Sequence, residues 1–489
     1  MRAVDPSTPV IVGVGQVSRR PAGADDLNDP VSLMVEAARA AAEDAGASGL
    51  LARIDSLRVV ESLGWKSDNP PAAVAAGLRI DPADRVATAT GGNGPLSLLH
   101  DTCRAVARGE LDAALLVGAE ALYSRRVARS HEGRAPEPET PDGPPPRILG
   151  DPRSGIHPAE LEAGLALPAH VYPLFSNALA RRSGGLRQQR DREARLYAAF
   201  SEVAASNPYA WSGQRQSPEE ISEPAADNRM IAFPYTKRCC ANIQVDQSAA
   251  VIVTSAAVAE AAGVSRDRWV FPWAGAEAHD HWFVSERQDL DASPAVRACW
   301  ASLGEGTGTG IDDVTHIDLY SCFPSAVLIA AREIGLDPED PHRPLTSTGG
   351  LSFAGGPGNN YSMHSLATVV GKLRGESGLG LVTGVGWFMT KHALSLIGSE
   401  PPPKGFQFAC AQDAVDALPN RPVRSAPPAG QTMETFTVIY DREGQPEKAI
   451  ASAVDAGGSG TESTLAGGTA TTAAGGAAGG GGGATATTA

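Results

Sequence analysis

The chain has 489 residues, enough for two or three hydrophobic cores, and its 42% hydrophobic and 20% charged fractions are ordinary for a globular protein. A formal net charge of −15, with no Lys/Arg run interleaved with aromatics, argues against nucleic acid as a ligand. No stretch reaches the length of a membrane span, and the six scattered cysteines show no Cys-x-x-Cys spacing, so neither a zinc site nor a disulfide framework is indicated and a cytoplasmic location is expected.

Residues 9–17 (PVIVGVGQV) form a short apolar run, glycine-broken and without a basic leader, so a buried strand is expected rather than a signal peptide. The pair Gly13 and Gly15 lacks the third glycine of a dinucleotide fingerprint. From Asp29 a helix is expected: Asp29 can cap, Pro30 suits the first position, and Val31, Met34, Ala38, Ala42 and Ala45 recur at helical spacing up to Gly46. Strands near Leu57–Glu61 and Arg85–Thr90 follow, the second running into a glycine-rich turn. A helix from Pro95 would bury Leu96, Leu99, Cys103 and Val106, and the strand Ala113–Gly118 comes next. Such alternation argues for a mainly parallel sheet.

The proline-laden Ala135–Arg147 predicts an exposed loop, followed by helices around Pro173–Arg182 and Arg187–Ser206. The arginines 181, 182, 187, 190, 192 and 195 there could meet a phosphorylated ligand or be a solvated helix face. After Cys239 come a strand at Ala249–Thr254 and a helix ending at Gly263. The strand Trp269–Trp273, a helix holding Ala295, Cys299 and Leu303, the strand His316–Phe323 and the helix Ser325–Ile334 follow. The turn Gly349–Gly358, a helix near Ser362–Leu373 and strands through Leu396 complete this half. Beyond Pro401–Pro403, alternating Phe436, Val438 and Tyr440 with a turn at Asp441–Gly444 predict a hairpin. The Gly/Ala/Thr tail, 456–489, offers almost no large apolar side chain and is expected to be disordered. His279-Asp280-His281 is a weak metal fragment, without further ligands nearby in sequence.

Two stretches repeat one plan. Gly91–Glu120 and Gly355–Trp387 each begin with a glycine-rich turn, continue as an amphipathic segment to Arg-Gly-Glu (108–110 and 374–376), and reach a glycine, Gly118 or Gly384, nine residues after the glycine of that triplet. Two similar α/β halves are expected to face each other. Glycines admit close approach, and free N–H groups at a helix start favour an anion or a developing oxyanion. The backbone of Gly91, Gly92, Asn93, Gly94, Gly355, Gly356 and Gly384 is therefore the candidate pocket wall.

Several strings in this order resemble the thiolase superfamily, over residues 8 to about 397. RGELDAALLVGAEALYS (108–124) is similar to the passage after the thiolase nucleophile, ANIQVDQSAAVIV (241–253) to the re-entry strand, IDLYSCF (317–323) to the Asn-Glu-Ala-Phe or His-Asp-Cys-Phe motif, and GGLSFAGGP (349–357) to the Gly-His-Pro loop. SNPYAW (206–211) and NRMIAFPYTK (228–237) resemble the sterol-carrier-type and thiolase-like type 1 branch. The resemblance implies an α/β thiolase fold, with duplicated βαβαβ halves in a layered αβαβα sandwich. It divides the chain into a first half at 8–120, a helical loop insertion at 121–238, a return strand and helix at 239–265, and a second half at 266–398. A truncated OB-like β module at 405–452 and the tail at 456–489 would follow.

The resemblance also implies acyl-CoA as ligand, coenzyme A being part of the substrate with no separate cofactor or metal, and a possible homodimer through a central strand. The family's catalytic side chains are replaced: its nucleophilic cysteine falls at Gly92, its loop histidine at Gly356, its second cysteine at Val382, its Asn/His at Tyr320 and the following acid at Ser321. Three functions stay open. An acetyl-CoA acetyltransferase-like acyltransferase needs another thiol, of which Cys322, Cys239 and Cys240 are the candidates. A retro-aldol lyase on an acyl-CoA would use Tyr320 or His364 as base. A non-catalytic acyl-CoA or lipid binder would keep only the backbone wall. Arg181, Arg182 and Arg187 are the candidate contacts to coenzyme A.

Overall fold

The computed structural model describes residues 4–47, 49–424, 430–454 and the backbone of 463–469. The first half runs β1 (Pro9–Ser18), α1 (Pro30–Asp44), β2 (Ser56–Val59), α2 (Pro70–Leu78), β3 (Asp84–Thr88), α3 (Gly94–Ala107) and β4 (Ala113–Ala121). The α1 start is as expected, since the Asp29 side chain accepts from Ser32 N. The insertion holds α4 (Leu122–Ser130), β5 (Arg147–Leu149), α5 (Pro158–Ala163), α6 (Pro168–Leu179), α7 (Leu186–Ser206), α8 (Pro218–Ser222), β6 (Met230–Ala232) and β7 (Tyr235–Thr236). The chain returns through β8 (Asp246–Ser255) and α9 (Ala256–Ala261). The second half is β9 (Phe271–His279), α10 (Pro294–Thr307), β10 (Val314–Asp318), α11 (Pro324–Ile334), α12 (Tyr361–Gly375), β11 (Leu379–Gly386) and β12 (Lys391–Gly398). Then come β13 (Gln407–Cys410), α13 (Gln412–Asp416), β14 (Val423–Arg424), β15 (Thr432–Tyr440), β16 (Pro446–Val454) and β17 (Ser463–Thr469).

Two sheets carry the duplicated plan. The first has the order β1-β8-β4-β2-β3-β5 and the second β10-β11-β12-β9-β13. In each, an antiparallel middle strand (β8, β12) separates the opening strand (β1, β9) from parallel pairs. α3 and α12, the helices ending in the two Arg-Gly-Glu triplets, lie between the sheets. Leu96, Leu99, Met363 and Val370 pack there with Leu116, Val251, Val382 and Ile397 from the strands above and below. α1 covers the outer face of the first sheet, while α10 and α11 cover that of the second. The result is the five-layer α/β/α/β/α arrangement.

Several elements differ from the sequence reading. β10 stops at Asp318 rather than Phe323, which leaves Tyr320 and Cys322 on the loop beyond the strand. α6 begins at Pro168, a residue suited to the first turn, and carries Pro173 inside it. The proline-rich loop ends in β5, which pairs in parallel with the outer edge of β3. An edge pairing with a second copy through β3 would have to displace it.

The C-terminal segment is not a separate module spanning 405–452. Gln407–Cys410 joins the second sheet beside β9. The hairpin of β15 and β16 shares a third sheet with insertion strands β6 and β7, in the order β14-β17-β16-β15-β6-β7. The expectation of disorder over 456–489 is corrected for Ser463–Thr469, whose backbone pairs antiparallel with β16. Backbone pairing needs no large side chain, so the poor composition there does not forbid a strand. The rest of that expectation lies outside the described residues.

Candidate active site and ligand cavity

The two glycine-rich turns meet, as the repeat implied. Gly91 N donates to Asn359 Oδ1 (3.1 Å), Ser362 Oγ donates to the Gly92 carbonyl (2.8 Å), and Asn360 Nδ2 donates to the Gly118 carbonyl (2.6 Å). Gly384 lets β11 run against the first turn, since a Cβ there would lie 2.9 Å from Asn93 Cα. The N–H groups of Gly92 and Asn93 donate to no acceptor among the described residues, so part of the donor wall persists. Gly356 N, by contrast, donates to the Asn242 carbonyl (3.0 Å).

Side chains fill the space beside the first turn. The loop after β10 brings the Tyr320 hydroxyl onto Gly92, where a Cβ would collide with it and with the Val385 carbonyl. Tyr320 N donates to Thr383 Oγ1 (2.8 Å), and its ring meets Tyr361 edge-on at 5.4 Å, so the ring is held from two sides. Its hydroxyl makes no hydrogen bond among the described residues. Burial raises the phenol pKa, which disfavours the base role given to it from sequence.

Among the other candidates Cys322, Cys239 and His364 are buried, and Cys240 is partly buried. Cys322 and Cys239 are pushed up to about 12 by desolvation, and Cys240 is raised by the same cause. A thiol so far from ionising is a poor nucleophile at neutral pH. His364 bonds Gln16 Oε1 through Nδ1 (2.9 Å), and burial pulls it down to about 3. It lines only a small cavity of about 10 Å³, beside Gln247 and Tyr361. Of the arginines, Arg182 pairs with Asp291 (2.5 Å) and Arg195 with Glu339 (3.0 Å), while Arg181 and Arg187 make no ion pair among the described residues. His279 and His281 turn to the carbonyls of Asp280 and Pro419, and no cluster suited to a metal occurs among the described residues.

A cavity of about 440 Å³ lies instead on the side of α3, walled by β9, β12 and β13 and closed by β5. Ser97, His100, Asp101 and Arg104 recur at helical spacing and face it, opposite the apolar stripe Leu96, Leu99, Cys103 and Val106. His100 Nδ1 lies 2.6 Å from Glu277 Oε1, and its Nε2 lies 2.7 Å from Ser395 Oγ. The Lys391 ammonium donates to the carbonyls of Thr90 (3.0 Å) and Asp151 (2.6 Å). Asn93 of the first turn also lines this space, whereas Gly92 and Tyr320 do not. These residues escaped the sequence reading. The available signal was one lysine opening an otherwise buried strand, KHALSLIG.

Comparison with solved structures decides the family. A monomeric SCP2-thiolase-like protein type 1 from Mycobacterium smegmatis superposes with a TM-score of 0.79 at 32% identity, covering 95% of this chain and 92% of that one. The chain belongs to the thiolase superfamily, in its SCP2-thiolase-like branch. An Ltp2-ChsH2(DUF35) aldolase shares the fold, with a TM-score of 0.61 at 18% identity over 81% of this chain and 99% of that one. Among curated proteins, an acetyl-CoA acetyltransferase of Methanothermobacter thermautotrophicus is 25% identical over 383 residues, 74% of this chain and 90% of the relative. Benzoylsuccinyl-CoA thiolase subunit BbsB of Thauera aromatica is 28% identical over 136 residues, and this match spans only 33% of that relative. No protein-family model matches the chain. No helix among the described residues is long and apolar enough to cross a membrane.

Proposed function

We propose that this thiolase-fold chain is an acyl-CoA-binding protein that has given up acyl transfer through a cysteine. The reading rests on the Tyr320 hydroxyl standing where the side chain of a residue at position 92 would be. A covalent acyl-enzyme needs a thiolate beside a base. Here the turn carries glycine, Cys239 and Cys322 are buried and Cys240 partly so, and His364 is held neutral by burial. What remains is the N–H pair of Gly92 and Asn93, able to donate to a thioester oxygen once the Tyr320 ring swings aside. Arg181, which acts on Glu434 only at longer range, and Arg187 make no ion pair among the described residues and are available to the coenzyme A phosphates. Because β5 covers the β3 edge, the chain acts as a monomer, and its free cysteines suit the cytoplasm.

Incubation with acetyl-CoA followed by intact-mass spectrometry should give no acetyl adduct, while titration calorimetry should register acetyl-CoA binding. A cysteine adduct overturns the loss of acyl transfer. Absence of binding overturns the role as a binder. A second reading, a carbon–carbon lyase, is favoured by the unpartnered Tyr320 hydroxyl beside those two N–H groups and by the aldolase with the same fold. With its pKa raised, the phenol suits proton donation better than proton removal. Release of an aldehyde or ketone from a β-hydroxyacyl-CoA, lost in Tyr320→Phe, would establish it.

A further inference from the structure

We propose that the cavity beside α3 binds a small carboxylic acid with an apolar body, its carboxylate held by Lys391 and a hydroxyl at its far end by Glu277. The cavity adjoins the first glycine-rich turn and shares Asn93 with it, but its carboxylate and hydroxyl contacts lie elsewhere, so the proposal does not depend on that reading.

The volume, about 440 Å³, lies in the range of small-molecule sites. Leu149, Ala278, Trp282 and Phe408 supply an apolar lining suited to a hydrocarbon or aromatic body. Lys391 carries the argument. Its side chain is only 7% exposed, and no carboxylate lies at ion-pair distance from it among the described residues. Buried charges are ordinarily paired, because desolvating an ammonium is costly. Its two hydrogen-bond acceptors are neutral carbonyls and the Trp282 ring lies 5.7 Å from the ammonium, which leaves one N–H, and a charge that no carboxylate pairs directly among the described residues, for a ligand. Burial lowers the pKa of Lys391, an effect that the more distant carboxylates of Asp151 and Glu61 offset only in part.

The remaining charges fix the ligand's direction. Asp101 is spent on Arg58 (2.5 Å) and Arg147 (2.6 Å), while Asp151 pairs with Arg153 (2.7 Å) and also acts on Lys391 at longer range. Glu277 gives one oxygen to His100 and keeps the other, with 29% of its side chain exposed. Ser395 occupies the second ring nitrogen of His100, so that ring orients Glu277 and offers no free nitrogen of its own. A ligand carboxylate is repelled from Glu277 and drawn to Lys391, whereas a hydroxyl donor is welcome at Glu277. Among the wall cations, Arg104 lies exposed over the Phe408 ring at 4.6 Å and adds favourable potential at the mouth.

The test is titration calorimetry on the full chain with octanoate, its ω-hydroxy derivative and octanol. Both acids should bind with one site per chain, the hydroxy acid more tightly, and octanol should bind more weakly than octanoate by about tenfold or more. Lys391→Met should weaken both acids by a similar factor, and Glu277→Gln should erase the preference for the hydroxy acid. Should Lys391→Met fail to fold, Ser97→Phe, which fills the cavity from α3, must abolish acid binding in a chain with an unchanged melting curve. Absence of acid binding, equal binding of octanol, or an unaffected Lys391→Met protein each overturns the proposal.

Discussion

The two glycine-rich turns share a plan in sequence and differ in what surrounds them. At the first, Gly92 has no room for even a methyl group, because the Tyr320 hydroxyl and the Val385 carbonyl occupy the space. At the second, a Cβ on Gly356 would meet Leu351 at 3.4 Å and the Asn242 carbonyl at 3.5 Å, ordinary contacts. Position 92 is therefore closed by packing, while position 356 has room for the first carbon of a side chain. A glycine kept at a helix start can serve close packing as readily as a ligand.

The sharpest test of this contrast is a pair of alanine substitutions. Gly92→Ala forces a methyl group against a backbone carbonyl that cannot yield, and should destabilise the chain by about 3 kcal/mol, the upper end of overpacking costs. Gly356→Ala, in negative-φ backbone with space available, should cost less than about 0.5 kcal/mol. Denaturant midpoints decide between them. Equal losses at the two positions would erase the distinction.

Electrostatics should separate the turns next. Glu120 packs against Gly358 of the second turn and accepts from Gly64 N (3.0 Å) and Ser62 Oγ (3.1 Å); desolvation raises it to about 7. A carboxyl raised in the folded state binds more protons there than in the unfolded chain. Its contribution is full below pH 4.5 and is lost as pH rises through about 7, by a few kcal/mol in all. Buried Glu193 is raised to about 7 likewise, so Glu120→Gln should flatten that descent in part. His364, at the start of α12, acts in the opposite sense. Depressed to about 3, it contributes stability that is full above pH 6.5 and lost as pH falls. His364→Gln should soften the acid limb only. Unfolding midpoints from pH 4 to pH 8 (about these limits) measure both arms.

How much of this was legible in sequence follows from what each feature depends on. The duplicated halves could be read because periodic apolar residues and two Arg-Gly-Glu triplets mark α3 and α12 directly. The contact between the turns could be read from the glycines that permit it. The filling of the space between them could not, because it depends on β10 ending at Asp318 and on the direction taken by the loop that follows. Tyr320 and Cys322 alternate acceptably as strand residues, and nothing local distinguishes a pocket tyrosine from one wedged on a glycine. The large cavity was hidden for a different reason. Its walls come from α3, β9, β12, β13 and β5, five segments brought together only by the two sheets and their capping strands.

The smallest expected effect is the most telling about Tyr320. Tyr320→Phe removes a hydroxyl that makes no hydrogen bond among the described residues, so stability should change by less than about 1 kcal/mol. The same change opens space above Gly92, and a Gly92→Ala/Tyr320→Phe chain should recover part of the loss caused by Gly92→Ala alone. The recovery should be incomplete, because the Val385 carbonyl still faces the new methyl group. A coupling of about 1 kcal/mol in this double-mutant cycle would assign to the hydroxyl its share of the closure. Zero coupling would mean that Val385 alone seals the turn. A full recovery would mean that the tyrosine alone does, so that a swing of this one ring would suffice to admit a thioester to the Gly92 and Asn93 amides.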